Sequence, residues 1–343
     1  MGNLETENLT RKLIFKAWED NADNEFRPHL GASIIGRKCE RQLYYSFRWA
    51  KTPSFPGRVL KLFNRGHTEE ERFVADLNSI GCNVMEFDAD GNQWRFEDCK
   101  GHFGGSADGI IASGVPEAPK SPHIVEMKTH SEKSFNDLVS KGVKESKHEH
   151  FIQMNTYMGL SGRKWGAKFH IKRALYMAVN KNNDDLYCER IRFDPDIFEE
   201  TMEKAEHIIF SDICPPPMPQ ASAQWYECKF CDYYGVCHQK KFPEANCRTC
   251  VFSTPVKDGK WECSCKWHDE DNKTIALSDT DQKSGCGNHL YLPSLIDTWA
   301  TPIDGTNESI VFEVKGTDEQ FVNGFGDGYI CSKRLHRDGY ETP

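Results

Sequence analysis

Apolar and polar positions recur with different periods along the chain. From Asn64 to Leu77 the segment NRGHTEEERFVADL sets Phe73, Val74 and Leu77 at helical spacing, which predicts an amphipathic helix with those three side chains inward. KHEHFIQMNTYMGL over residues 147–160 shows the same period. Residues 82–130 read as short strands broken by glycine turns, with HFGGSADGIIAS as a hairpin and HIVEMKTH as an apolar strand carrying charge. Strands are expected over 173–180 and 186–193, a helix from about 195 to 211, and polar helix within 1–30. This order of helix, strands, helix, strands predicts a mixed α/β domain around a central sheet. CPPPMP at 214–219 cannot continue a helix and reads as a linker into a cysteine-rich stretch and a glycine-rich tail.

The 343 residues are 38% hydrophobic, enough for a core, so wholesale disorder is excluded. No apolar run is long enough to span a membrane. The opening MGNLETENLTRKLIF carries acids where an export signal needs bases and an apolar run, so a cytoplasmic protein is expected. Fourteen cysteines in a reducing compartment point to metal binding before disulfides. The net charge is −9, yet Arg37, Lys38, Arg41, Arg48, Lys51, Arg58, Lys61 and Arg65 face only Glu40 within residues 31–65. Such a local positive field attracts polyanions, and Arg37, Lys38, Arg41 and Arg48 are candidate phosphate contacts. Tyr44, Tyr45, Phe47 and Trp49 beside them read first as core and second as base-stacking platforms.

The sharpest chemistry lies in Gly105-Ser-Ala-Asp108-Gly and Ile124-Val-Glu126-Met-Lys128. Glu126 and Lys128 are two apart on a strand and share a face, and Asp108 ends a neighbouring strand. Alone, Glu-x-Lys is ordinarily a solvent-facing salt bridge. Two acids and a lysine set among apolar residues instead suit a hard cation such as Mg²⁺. His67, Asp108, Glu126, Lys128, Gln153 and Tyr157 follow in that order, with Gln153 and Tyr157 one helical turn apart.

Cysteines form two groups. Cys228-x2-Cys231-x5-Cys237 offers three thiolates to one metal or cluster, with Cys39 the candidate fourth. Cys247-x2-Cys250, Cys263-x-Cys265 and Cys286-x2-His289 offer six ligands for the four places of a structural Zn²⁺ site. Cys247, Cys250, Cys263 and Cys286 are favoured, with His289 and Cys265 as rivals.

The ordered set Gly66-His67, Asp108-Gly109, Glu126-Met127-Lys128 and Gln153-Met-Asn-Thr-Tyr157 resembles the PD-(D/E)XK nuclease superfamily, in its RecB-like exonuclease branch, over roughly residues 31–240. Ala107 stands where the family name has proline. The resemblance implies a restriction-endonuclease-like mixed sheet flanked by helices. It also implies Asp108, Glu126, the Met127 carbonyl and His67 as ligands of Mg²⁺ or Mn²⁺, and Lys128 as the residue that orients or helps deprotonate water. Gln153 and Tyr157 would steady the DNA strand. Cys39-Glu-Arg41-Gln-Leu-Tyr44-Tyr45 with the downstream trio resembles the iron–sulfur subset of these nucleases, including the CRISPR-associated exonuclease family, and implies a [4Fe–4S] cluster. The stretch from Cys247 is similar to a C-terminal module on some phage-encoded relatives.

The resulting expectation is a nuclease domain over 1–240 and a cysteine-rich zinc module over 241–343. Its activity would be metal-dependent hydrolysis of DNA, as an exonuclease in preference to an endonuclease, on single strands or duplex ends during recombination, repair or replication. The alternative is a non-catalytic nucleic-acid-binding regulator on a nuclease scaffold. The chain has no GxxxxGK[ST] loop, so a helicase or recombination partner would be a separate chain.

Overall fold

The computed structural model describes residues 8–265 and 273–340. The chain forms two compact units, and neither is continuous in sequence. One gathers residues 1–26, 53–96 and 105–199; the other gathers 27–52, 97–104 and 200–343.

The first unit is built on a five-stranded sheet. Its strands run in the order Asn83–Met85, Gly109–Ser113, His123–His130, Arg173–Asn180, Leu186–Arg192. His123–His130 and Arg173–Asn180 are parallel and the other pairs antiparallel, so the sheet is mixed. Strand alternation divides the central strand between two jobs. Val125 and Met127 enter the core with Ile111, Leu175 and Met177, while Glu126 and Lys128 take the opposite face. The helix Gly57–Ser79 covers the apolar face through Phe73, Val74 and Leu77, the three residues its periodicity selects. Each such burial contributes about 1.5–3 kcal/mol. The helix His148–Trp165 lies against the same sheet and buries Gln153 and Tyr157.

HFGGSADGIIAS is not a hairpin. Gly109–Ser113 joins the central sheet, whereas Phe103 and Gly104 pair in parallel with Leu30 and Gly31. Asp108 therefore sits just ahead of a strand that departs from its sequence neighbour.

The second unit corrects the division at residue 240. Residues 27–52 belong with the C-terminal part because buried polar side chains bind them to it. Arg41 donates to the Pro215 carbonyl at 2.8 Å and pairs with Asp297 at 2.7 Å. The Asn246 side-chain amide donates to the Trp49 carbonyl at 2.8 Å. The helix Glu40–Phe47 buries Arg41, Leu43, Tyr44, Tyr45 and Phe47.

The tail is more ordered than its glycines suggest. Strands Ala300–Gly305, Ser309–Val314 and Gln320–Gly324 form an antiparallel sheet whose Phe312, Val314 and Phe321 pack with Phe242 and Trp299. A smaller sheet joins Ser253–Pro255, Trp261–Cys263 and Ile275–Leu277. Among the described residues, no helix is long and apolar enough to cross a membrane.

Candidate active site

Asp108, Glu126 and Lys128 meet. Lys128 Nζ lies 3.6 Å from Asp108 Oδ2 and pairs closely with Glu126 Oε1. Asp108 Oδ2 also accepts the Met127 amide N–H at 2.7 Å, which fixes the carboxylate against the central strand. Lys128 Nζ donates to the Met127 carbonyl at 3.1 Å, so that oxygen faces the same group of charges.

Burial is graded across the three. The side chains of Lys128 and Asp108 are 28% and 17% exposed, while Glu126 is fully buried. Neither Glu126 oxygen receives a hydrogen bond of good geometry. A buried carboxylate satisfied only by an ion pair is costly, and a hard cation is the usual remedy. Burial drives the Glu126 carboxyl well above its ordinary pKa, with Lys128 opposing and Asp108 reinforcing that rise. Burial disfavours the Lys128 ammonium, but Asp108 and Glu126 outweigh it and hold its pKa above the ordinary lysine value. Lys128 is thus a fixed cation here, suited to orienting water and screening charge more than to removing a proton.

Two further acids belong to this group. Glu70, on the helix Gly57–Ser79, has its pKa raised by burial and by Asp108, with Glu86 also acting on it. Only the register of Asn83–Met85 beside Gly109–Ser113 brings Glu86 close. His67 is 76% exposed and lies 3.6 Å from Glu70, so it reaches the acids through that neighbour. Among the described residues no three His, Cys, Asp or Glu side chains are drawn in around a common point, so the His67–Asp108–Glu126 ligand set is not closed.

Gln153 and Tyr157 lie one turn apart on the helix, and both are buried. The Tyr157 hydroxyl donates to the Ser106 carbonyl at 2.9 Å and is bonded by the Gln153 side chain. They hold the turn that carries Asp108. Gly105 is required beneath them, because a Cβ there would meet the Tyr157 hydroxyl at 2.6 Å.

Tyr176, opposite Glu126 in the strand pairing, was not found from sequence. Its hydroxyl shares hydrogen bonds with His130 Nε2 at 2.8 Å and His150 Nδ1 at 2.9 Å. His130 follows Glu126 and Lys128 on the same strand face, so alternation was the available signal.

The basic segment needs correction at two positions. Arg41 and Arg48 are 1% and 0% exposed. Arg41 is held by Pro215, Tyr45 and Asp297, and Arg48 by the carbonyls of Arg248 and Ser211 and by Asp212. Neither can reach a phosphate. Lys38 is exposed and Arg37 half-buried. Tyr44, Tyr45, Phe47 and Trp49 are core.

Cys39, Cys228, Cys231 and Cys237 line one cavity together with Tyr45 and Tyr233. Cys39 stands at the N-cap of the helix Glu40–Phe47. Burial pushes the thiols of Cys39, Cys231 and Cys237 up, Cys231 to about 11 and Cys237 to about 12. Cys214 is buried within electrostatic reach of Cys237 and Cys39.

Comparison with protein-family models and with curated proteins gives no match. Among solved structures, the chain is similar to an alkaline exonuclease, LHK-Exo, from Laribacter hongkongensis, at 15% identity and a TM-score of 0.38, over 57% of this chain and 90% of that one. The same protein in complex with dAMP gives a TM-score of 0.37 at 15% identity over the same shares. SSO0001 is similar at 16% identity and a TM-score of 0.38, over 67% of this chain and 96% of that one. Likeness of this size identifies no activity.

Proposed function

We propose that this chain is a divalent-metal-dependent nuclease acting on DNA, as an exonuclease in preference to an endonuclease. The observation that carries the reading is the Glu126 carboxylate, fully buried, with Lys128 its only charged partner of opposite sign among the described residues, and clustered with Asp108. A salt bridge serving stability alone would be better replaced by apolar side chains. Asp108 and Glu126 would hold Mg²⁺ or Mn²⁺, with Glu70 close enough to assist. The bound ion supplies a more acidic water and an electrophile for the phosphate. Lys128 orients the incoming water and offsets charge gathering on the phosphate. Tyr157 and Gln153 keep the 105–108 turn still so that Asp108 does not wander.

Cys39, Cys228, Cys231 and Cys237 would hold a [4Fe–4S] cluster. Support comes from the shared cavity, which brings the four sulfurs to one wall. The cluster would tie the Cys39 segment to the 228–237 loop, its binding energy becoming folding energy.

Degradation of end-labelled DNA with and without Mg²⁺, by the natural chain and by Asp108→Asn, tests the reading. Activity that needs the metal and disappears in the variant is expected. Equal activity in both, or none in either at any divalent ion, returns the chain to the non-catalytic alternative.

A further inference from the structure

We propose that Cys247, Cys250, Cys263 and Cys286 bind one structural zinc ion. The proposal stands apart from the nuclease reading. The four side chains line a single cavity of about 200 Å³, with Cys265 and His289 also on its wall. Three independent features of that cavity point to a metal.

The first is the composition of the core. Between residues 247 and 288, among the described residues, the buried apolar side chains are Cys247, Cys250, Cys263, Cys265, Pro255 and a single tryptophan, Trp261. The larger cluster formed by Phe242, Trp299, Phe312 and their neighbours takes nothing from this stretch. A segment with three very short strands and no aliphatic core needs another source of cohesion, and a thiolate-bound ion is the usual one.

The second is a backbone amide aimed at sulfur. The Cys263 sulfur accepts the N–H of Cys265, two residues further along the chain, at 3.4 Å. Such a donor favours sulfur as thiolate, the form that binds metal.

The third is His289. It is 2% exposed, its Nε2 is bonded to Thr249 Oγ at 3.0 Å, and its Nδ1 has no partner. A buried ring nitrogen left unpaired at the wall marks a polar interior. Cys263 and Cys286 lie within electrostatic reach of both Cys247 and Cys250.

The sulfurs line the wall without converging on a single point. Zinc–sulfur bonds of about 2.3 Å would draw them inward. On binding, the thiols release their protons to solvent as the sulfur–zinc bonds form, with no change of oxidation state.

The test uses the full chain purified without chelator, analysed for zinc and, after exchange, with Co²⁺. One zinc per chain is expected, retained in Cys228→Ser, Cys265→Ser and His289→Ala and lost in Cys263→Ser and Cys286→Ser. Should the last two fail to fold, the Co²⁺-loaded natural chain decides: its sulfur-to-cobalt absorption should have the strength of four thiolates in a tetrahedral site. Folded protein without zinc, zinc lost in Cys228→Ser but kept in Cys263→Ser, or a cobalt spectrum of fewer thiolates would each overturn the proposal. None of these readouts depends on whether the chain cuts DNA.

Discussion

The Tyr157 hydroxyl is hydrogen-bonded at 2.9 Å to the carbonyl of Ser106, two residues before the carboxylate of Asp108. A helix thereby sets the position of the turn that carries Asp108, distant from it in sequence. Removing the hydroxyl in Tyr157→Phe should cost about 1 kcal/mol of stability. It should lower kcat with little change in substrate affinity.

Gly105→Ala should be more damaging than Tyr157→Phe, because its new methyl group collides with that hydroxyl. The collision disappears when the hydroxyl does. The double variant should therefore be more active than Gly105→Ala alone, a coupling of opposite sign to simple additivity. Single-turnover rates of the four proteins measure it.

Glu126→Gln should abolish cleavage, by at least about a hundredfold. Without metal it should not lower the melting temperature, because the neutral amide relieves a fully buried carboxylate that sits beside Asp108, while Lys128 keeps Asp108 as its partner. Thermal melts in the presence of chelator, compared with activity under Mg²⁺, separate the two effects.

Arg41→Ala and Lys38→Ala should fail in different ways. Loss of the buried Arg41 removes the partner of Pro215, Tyr45 and Asp297 and should destabilise by about 3–5 kcal/mol. Loss of the exposed Lys38 should leave the melting temperature unchanged, weaken DNA binding at low salt and lower its salt slope by about one. Melting curves and binding isotherms at two salt concentrations read the difference.

His130 and His150 give an acid-sensitive fold. Burial, aided by nearby lysines, lowers His130 to about 4 and His150 to about 3. Both values lie below the unfolded value near 6.5. The unfolded chain then binds more protons, so the stability these groups confer is complete above about pH 6.5 and declines as pH falls toward about 4. The decline is at most about 1.4 kcal/mol per pH unit for each ring. His150→Gln should flatten the fall in melting temperature over that range.

Much of the central site was legible in the chain because strand alternation and residue order are local properties. Glu126 and Lys128 share a face by position alone, and Phe73, Val74 and Leu77 announce their buried side. The destinations of arginines were not legible. Arg41 and Arg48 look like phosphate contacts, and only partners far along the chain, such as Asp297 and Arg248, reveal them as hubs of buried hydrogen bonds. FGGS and GIIAS flank a turn-like SAD, yet local spacing cannot say that two adjacent strands join different sheets. Glu86 entered the site through register, which a single sequence does not display.

Interleaving of the chain has a consequence for biosynthesis. The cavity that unites Cys39 with Cys228, Cys231 and Cys237 cannot assemble until the last of them has left the ribosome. At about 5–20 residues per second, Cys39 waits on the order of ten to forty seconds for its companions. During that interval Tyr44, Tyr45 and Phe47 have no finished unit to enter, and the nascent chain must be shielded or tolerate their exposure.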